Sequence, residues 1–155
     1  MSSDSEGIEW SQRQTYLSYS IIDAHSHAGV ASLPLLSGAE DVDSVLGIVQ
    51  PWLRSLDGLN THDAIFDLAI AGGVGTVLIL PGSLTAIGGQ AFAIKLRQTA
   101  EKSPYSLLVD APFTYNGSGI VPSDPPTWRH LKQACGENPS LVFGGTRMDS
   151  LYAMR

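Results

Sequence analysis

A short apolar run in the middle of the chain places the strongest constraint on its fold. Thr76 to Leu80 is almost continuously apolar and ends at Pro81-Gly82. This pattern is typical of a strand that is buried on both faces, as in parallel sheets covered by helices. An earlier strand is predicted over Tyr16 to Ala24, which is rich in aromatic and β-branched residues.

A helix is predicted between these two strands. Asn60-Thr61-His62-Asp63 can accept hydrogen bonds from the free N–H groups of a first helical turn, and Gly72-Gly73 can end the helix. One helical face carries the apolar or small residues Ile65, Leu68, Ala69 and Gly72. The order strand, helix, strand indicates a βαβ unit with parallel strands and an α/β fold.

The segments that flank this unit carry further expectations. Gly29 to Asn60 contains several glycines and prolines, and one short helix is predicted near Val42–Val49. Gln90 to Arg97 fits a helix and a strand equally well, whereas Ser106 to Ala111 resembles another buried strand.

Later in the chain, Asp124-Pro125-Pro126 predicts the capped start of a helix that runs to Cys135. Leu141–Phe143 is a short apolar segment, and a last helix is predicted near Asp149. No internal repeat is present. We expect a polar lead-in over residues 1–15 and one domain over residues 16–155.

Charge and cysteine content exclude several classes of function. The net charge is −6 with no Lys/Arg cluster, so we expect no nucleic-acid partner and no binding to an anionic membrane surface. Cys135 is the only cysteine, which excludes a disulfide framework and a multi-cysteine zinc site. Met1 to Gly7 has no signal-peptide character, and no apolar run approaches the roughly 18 residues of a membrane span. These features predict a cytoplasmic protein.

Two histidines at the end of the first strand suggest metal chemistry. In Asp23-Ala24-His25-Ser26-His27, alternation along a strand places Asp23, His25 and His27 on one face. Two imidazoles on one face can bind one divalent cation, most naturally zinc, and catalytic zinc sites keep an open position for water. Asp23 could orient a histidine ligand from behind it. The alternative is a chance pair of histidines with no ligand.

Several motifs together resemble a known family. Ile21 to His27 resembles the first-strand signature of the amidohydrolase superfamily, and Ala69 to Val77 resembles its next helix–strand junction, with Gly75 in place of the usual first threonine. Further short blocks resemble its imidazolonepropionase-like branch: Pro81-Gly82-Ser83, Ile87-Gly88-Gly89-Gln90, Ile94-Lys95-Leu96-Arg97, Cys135-Gly136-Glu137-Asn138-Pro139 and Thr146-Arg147-Met148. The resemblance covers roughly residues 19–155.

The resemblance implies a distorted (β/α)8 TIM-type barrel that holds one or two divalent metals and hydrolyses carbon–nitrogen bonds of small-molecule substrates. It maps the first two metal ligands onto His25 and His27. A complete barrel takes about 200–250 residues. We therefore expect the 155 residues to be an N-terminal part with three to four βα units, without the complete flanking β-sandwich and inactive in isolation.

The resemblance also implies a lysine or glutamate ligand from a middle strand. Glu137 is the candidate here, with Lys95 a weaker one, while no catalytic acid or base can be assigned. His62 and His130 are expected on the surface, and Cys135 is expected to be buried rather than nucleophilic.

Two functions remain open on the sequence alone. The chain is part of a metal-dependent hydrolase, or it is a non-catalytic α/β fragment or pseudoenzyme that binds metal weakly or binds a partner. In either case the open edges of an incomplete barrel favour self-association.

Overall fold

The computed structural model describes residues 19–111, 113–115, 117–122 and 129–155. In chain order its elements are β1 (Ile21–Ser26), α1 (Ile65–Ala71), β2 (Val74–Ile79), β3 (Ile87–Lys95), α2 (Pro104–Leu107), β4 (Phe113–Tyr115), β5 (Ile120–Pro122), β6 (His130–Gln133), α3 (Asn138–Phe143) and α4 (Arg147–Ala153). Short 3-10 turns lie at Ser37–Ala39 and Ser55–Gly58. The predicted lead-in over residues 1–15 lies outside the described residues.

The predicted βαβ unit is present. β1 and β2 pair in parallel, with Asp23 opposite Val77 and Ser26 opposite Ile79, and α1 lies between them in the chain. Gly72 caps α1, and Gly73 has a φ of +89°, a left-handed conformation that glycine adopts without strain. The chain thus turns from helix to strand within two residues.

The strands after β2 complete a four-stranded sheet of mixed direction. Its order is β1-β2-β3-β6, and β3 pairs antiparallel with both β2 and β6. β6 therefore runs in the same direction as β1 and β2. The first half of β3 extends beyond Ile79, the last residue of β2, and β6 pairs with this extension. Consequently β6 lies at the end of the sheet where β1 and β2 reach their carboxyl ends.

The core lies between the sheet, α1, α2 and the long segment that follows β1. Its members are buried and apolar: Val30, Leu56, Leu59, Phe66, Val77, Ile79, Phe92, Ile94, Leu96 and Leu107. Of α1, Phe66 is the buried residue, at 4% exposure, whereas Leu68 is 62% exposed. The helical face predicted from Ile65 and Leu68 is therefore rotated towards Phe66.

Two predicted elements differ from the structure because side chains form local hydrogen bonds with the backbone. No helix forms over Val42–Val49. There, Gln50 Nε2 donates to the carbonyls of Ser44 and Gly47, at 2.8 and 3.0 Å, and stabilises an irregular loop. The strand expected over Ser106 to Ala111 is reduced to one antiparallel bridge between Leu108 and Ile94. Ser103 Oγ accepts from the Ser106 N–H, and Pro104 opens the short helix α2.

The helix predicted up to Cys135 is contradicted over its second half. Residues 123–128, which contain the predicted start, lie outside the described residues, and His130–Gln133 forms β6. Pairing with β3 outweighs the local helical signal here. Gln90 to Arg97, left open by the sequence, is mostly strand β3, and the predicted last helix is α4.

Within the described ranges, none of the helices is both long enough and apolar enough to cross a membrane.

Candidate metal centre

His25 and His27 lie side by side at the carboxyl end of β1. Their ring centroids are 5.3 Å apart and the rings meet edge to face, with an interplanar angle of 86°. β1 is irregular between Asp23 and Ser26, but the two imidazoles still come together as alternation along a strand predicts. This end of the sheet is where barrel enzymes place their chemistry.

The ring of His27 is fixed by the next strand of the sheet. Its Nδ1 lies 2.9 Å from the carbonyl oxygen of Leu80, the residue that follows β2. A carbonyl can only accept, so this contact requires Nδ1 to carry the proton and leaves Nε2 as the free acceptor. A histidine that ligates a metal through one nitrogen commonly donates from the other in this way.

Asp23 supports His25 through the main chain. Its Oδ1 accepts from the His25 N–H at 3.0 Å, so it contacts the backbone of His25, whereas the sequence suggested that it would orient a histidine ring. Desolvation and the positive charge of Lys132, with a contribution from His27, lower the pKa of the exposed His25, while Asp23 acts in the opposite direction. The pKa shift favours the neutral imidazole that metal binding needs.

Lys132 is the site residue that sequence reasoning missed. It lies on β6 opposite Gly89, with its side chain only 8% exposed, and burial lowers its pKa against the attraction of Asp43. A helix predicted over this segment gives no reason to expect a buried lysine. In β6, however, Lys132 is buried and its neighbour Leu131 is 44% exposed. The sequence signal that could have pointed to Lys132 is its place three residues before Cys135, where the family-like block starts.

The other candidates contact other parts of the fold or are exposed. Lys95 Nζ donates to Thr76 Oγ1 at 2.7 Å, at the far end of β3 from Gly89. Glu137 is exposed directly before α3, and Asn138, the first residue of α3, donates through Nδ2 to Ser83 Oγ at 2.6 Å. His62 and His130 are exposed as expected, whereas Cys135 is exposed and not buried.

A cavity of about 320 Å³ adjoins the segments that hold the histidine pair. Val30, three residues after His27, and Pro81, which follows Leu80, line it. Asp43 also lines it, with its Oδ1 accepting from the Leu84 N–H at 3.0 Å. The long segment after β1 is thereby fastened to the loop after β2, next to the candidate centre.

The donor set fits part of a metal site. Two neighbouring imidazoles, one held in the correct tautomer, match two ligands of a tetrahedral zinc centre. Across the ranges that the structure describes, no group of three or more His, Cys, Asp and Glu side chains is placed to hold a metal ion. The described residues therefore offer two imidazole donors of the kind that a zinc site uses.

Two known proteins to which this chain is similar are both amidohydrolases. No protein-family model matches the chain. The amidohydrolase tasK of Hapsidospora irregularis is 38% identical over 145 residues, which cover 90% of this chain and 14% of tasK. The crystal structure of an amidohydrolase from Thermotoga maritima MSB8 superposes with a TM-score of 0.66 at 32% identity. That match covers 87% of this chain and 32% of the solved chain.

Proposed function

Because the chain belongs to the amidohydrolase superfamily, we propose that it forms part of a metal-dependent hydrolase of non-peptide carbon–nitrogen bonds. The observation that carries this proposal is the His25–His27 pair, with 5.3 Å between ring centroids and His27 Nδ1 held by the Leu80 carbonyl. The α/β sheet supports it in part. β1, β2 and β6 run in one direction, as barrel strands do, while β3, which lies between β2 and β6, is antiparallel.

In the proposed centre, the imidazole nitrogens of His25 and His27 would hold a divalent metal, for which zinc is the natural choice. Bound there, the metal would supply a Lewis acid that brings the pKa of a coordinated water towards neutrality. The contribution of the chain itself is orientation. Leu80 fixes the tautomer of His27, and Asp23 fixes the main chain at His25.

Lys132 is the candidate that the structure adds for the middle-strand ligand. Its charge acts on His25, its burial favours the neutral amine, and β6 brings it to the carboxyl ends of β1 and β2. A neutral lysine amine can add to carbon dioxide, with loss of one proton, and become a carbamate with two ligand oxygens. This would place Lys132 in the role that the sequence suggested for Glu137 or Lys95.

A calorimetric titration with zinc tests the metal site. We expect weak one-to-one binding by the 155-residue chain, and no binding by a His25→Ala/His27→Ala double variant. His62→Ala serves as the matched control, because His62 is an exposed histidine whose main-chain N–H is held by Asn60 Oδ1. Unchanged zinc binding in the double variant would show that the pair is not the site.

The second function, a non-catalytic fragment or pseudoenzyme, is favoured by the incomplete donor set. Two imidazoles bind a metal weakly, and general acid–base catalysis needs a further group within hydrogen-bond reach of the reacting water. We expect the zinc-loaded chain not to hydrolyse N-acyl or ring-amide compounds. Zinc-dependent hydrolysis that disappears in the double variant would instead establish the chain as an enzyme.

A further inference from the structure

The chain reverses direction in a tight turn directly after His27. The carbonyl of His27 accepts from the N–H groups of Val30 and Ala31, at 3.2 and 2.9 Å. Gly29, within the turn, has a φ of +82°, and a Cβ at this position would lie 2.6 Å from Leu59 Cδ1. The positive φ therefore favours glycine, and a Cβ here would also press against the segment that leads into α1.

One buried carboxylate fastens this turn. Asp63 is 4% exposed, and its Oδ2 accepts from the Gly29 N–H at 3.0 Å. Its Oδ1 accepts from the N–H groups of Leu33 and Ile65, at 3.2 and 3.0 Å. Among the described side chains, none forms an ion pair with Asp63. Three backbone donors thus compensate its burial, and charge-assisted bonds of this kind are strong.

We propose that Asp63 is a positioning residue for His27, an inference that rests on the proposed metal site. Two of its three bonds hold the backbone at Gly29, within the turn, and at Leu33, just after it, and the third anchors the carboxylate to the start of α1. His27 is two residues before Gly29. A fixed Gly29 therefore fixes the direction from which the imidazole reaches the Leu80 carbonyl, and so keeps Nε2 free.

A purely structural role for Asp63 predicts something different. In that case, replacing Asp63 would lower global stability and affect every histidine equally. A positioning role predicts a local change, namely loss of the Nδ1–H form of His27 while the protein remains folded. The tautomer of His27 in the metal-free chain separates the two roles without relying on zinc binding or activity.

The experiment is ¹⁵N NMR of the imidazole nitrogens in the full 155-residue chain, at a pH above the ordinary histidine pKa of about 6.5. We compare the wild type with Asp63→Asn, which keeps the shape of the side chain, and with Asp63→Ala. Asp67→Asn is the matched control, an exposed carboxylate on α1. Ile94→Val serves as the stability control, since Ile94 is fully buried in the core and belongs to β3.

We expect His27 to be the Nδ1–H tautomer in the wild type and in both controls, and a mixture of tautomers in Asp63→Asn. Zinc affinity should fall on the order of tenfold or more in Asp63→Asn, as for other residues that orient metal ligands. Asp63→Ala should show the same changes more strongly if it folds, but Asp63→Asn decides the question alone.

Three results would overturn the positioning role: a wild-type tautomer in Asp63→Asn, an equal change in Ile94→Val, or a wild-type His27 that is not protonated at Nδ1. If the tautomer responds as expected but the wild type binds no zinc, the metal site fails while the positioning role of Asp63 stands.

Discussion

Lys132 is a residue whose burial works against the stability of the fold. A lysine that is 8% exposed loses hydration, and its lowered pKa shows that the folded state disfavours its charge. We expect Lys132→Met to be neutral or to raise the free energy of unfolding by up to about 1 kcal/mol at neutral pH, since an apolar side chain of similar size suits a buried site. Because the folded pKa is lowered, the advantage of the variant should shrink as the pH rises through that pKa.

Lys95→Met is the matched control and should behave in the opposite way. Lys95 is exposed, and its Nζ donates to Thr76 Oγ1. Loss of this bond should lower the free energy of unfolding of the variant by up to about 1 kcal/mol. Chemical denaturation measures both effects, and zinc titration should show weaker binding only for Lys132→Met. A strongly destabilised Lys132→Met would mean that Lys132 has a structural role.

At the residue scale, the sequence identified the histidines because their signal is local. His25 and His27 are two apart on a strand, and that spacing alone brings their rings together. Lys132 is distant in sequence, and only the pairing of β6 with β3 brings it to the same end of the sheet. The Leu80 carbonyl was equally hidden, since backbone groups leave no trace in a sequence pattern.

Among the elements, α4 depends on a cap that titrates. The Asp149 carboxylate accepts from both Thr146 Oγ1 and the Thr146 N–H, at 2.7 and 2.6 Å, and these bonds lower the pKa of Asp149. A lowered pKa of an acid means that its stabilisation is present above the unfolded value and is lost as the pH falls through the folded value. We therefore expect the first turn of α4 to loosen only below pH 3.8, the ordinary aspartate pKa, as the pH falls through the lowered pKa of Asp149.

NMR titration of the Asp149 carboxyl carbon and of the α4 amide signals tests this dependence. In Thr146→Val the pKa of Asp149 should move up towards its ordinary value, because the hydroxyl bond is lost while the main-chain bond remains. Asp149→Asn should remove the acid transition of α4 altogether. A transition that persists in Asp149→Asn would assign it to another group.

The elements divide according to where their signal lies. β1, α1 and β2 were predictable because local hydrophobic patterns and helix-ending glycines are enough to indicate a βαβ unit. β6 is not predictable in this way, since its strand character comes from pairing with β3. α2 follows a short cap, Ser103 and Pro104, which lies beside an apolar run that favours a strand. Long-range pairing therefore determines β6, whereas a local cap determines α2.

At the scale of the whole molecule, the sheet formed by the described residues has β1 and β6 as its edge strands, and it carries exposed apolar side chains. β1 is an edge strand, paired only with β2 among the described strands, and Ile21 and Ile22 are 56% and 72% exposed. On α4, Met148 and Tyr152 are 76% and 78% exposed. Unpaired backbone groups beside apolar side chains form a surface on which another strand can add.

We therefore expect the chain to self-associate in solution through β1, and Ile22→Lys to weaken association at least tenfold, because a charged side chain on an edge strand opposes pairing. Sedimentation velocity across a concentration series measures the effect. Leu46→Lys is the control, since Leu46 is 94% exposed but lies in the irregular segment after β1, outside the sheet. Association that is lost equally in both variants would reflect net charge alone, and association that survives in Ile22→Lys would exclude the β1 edge as the contact.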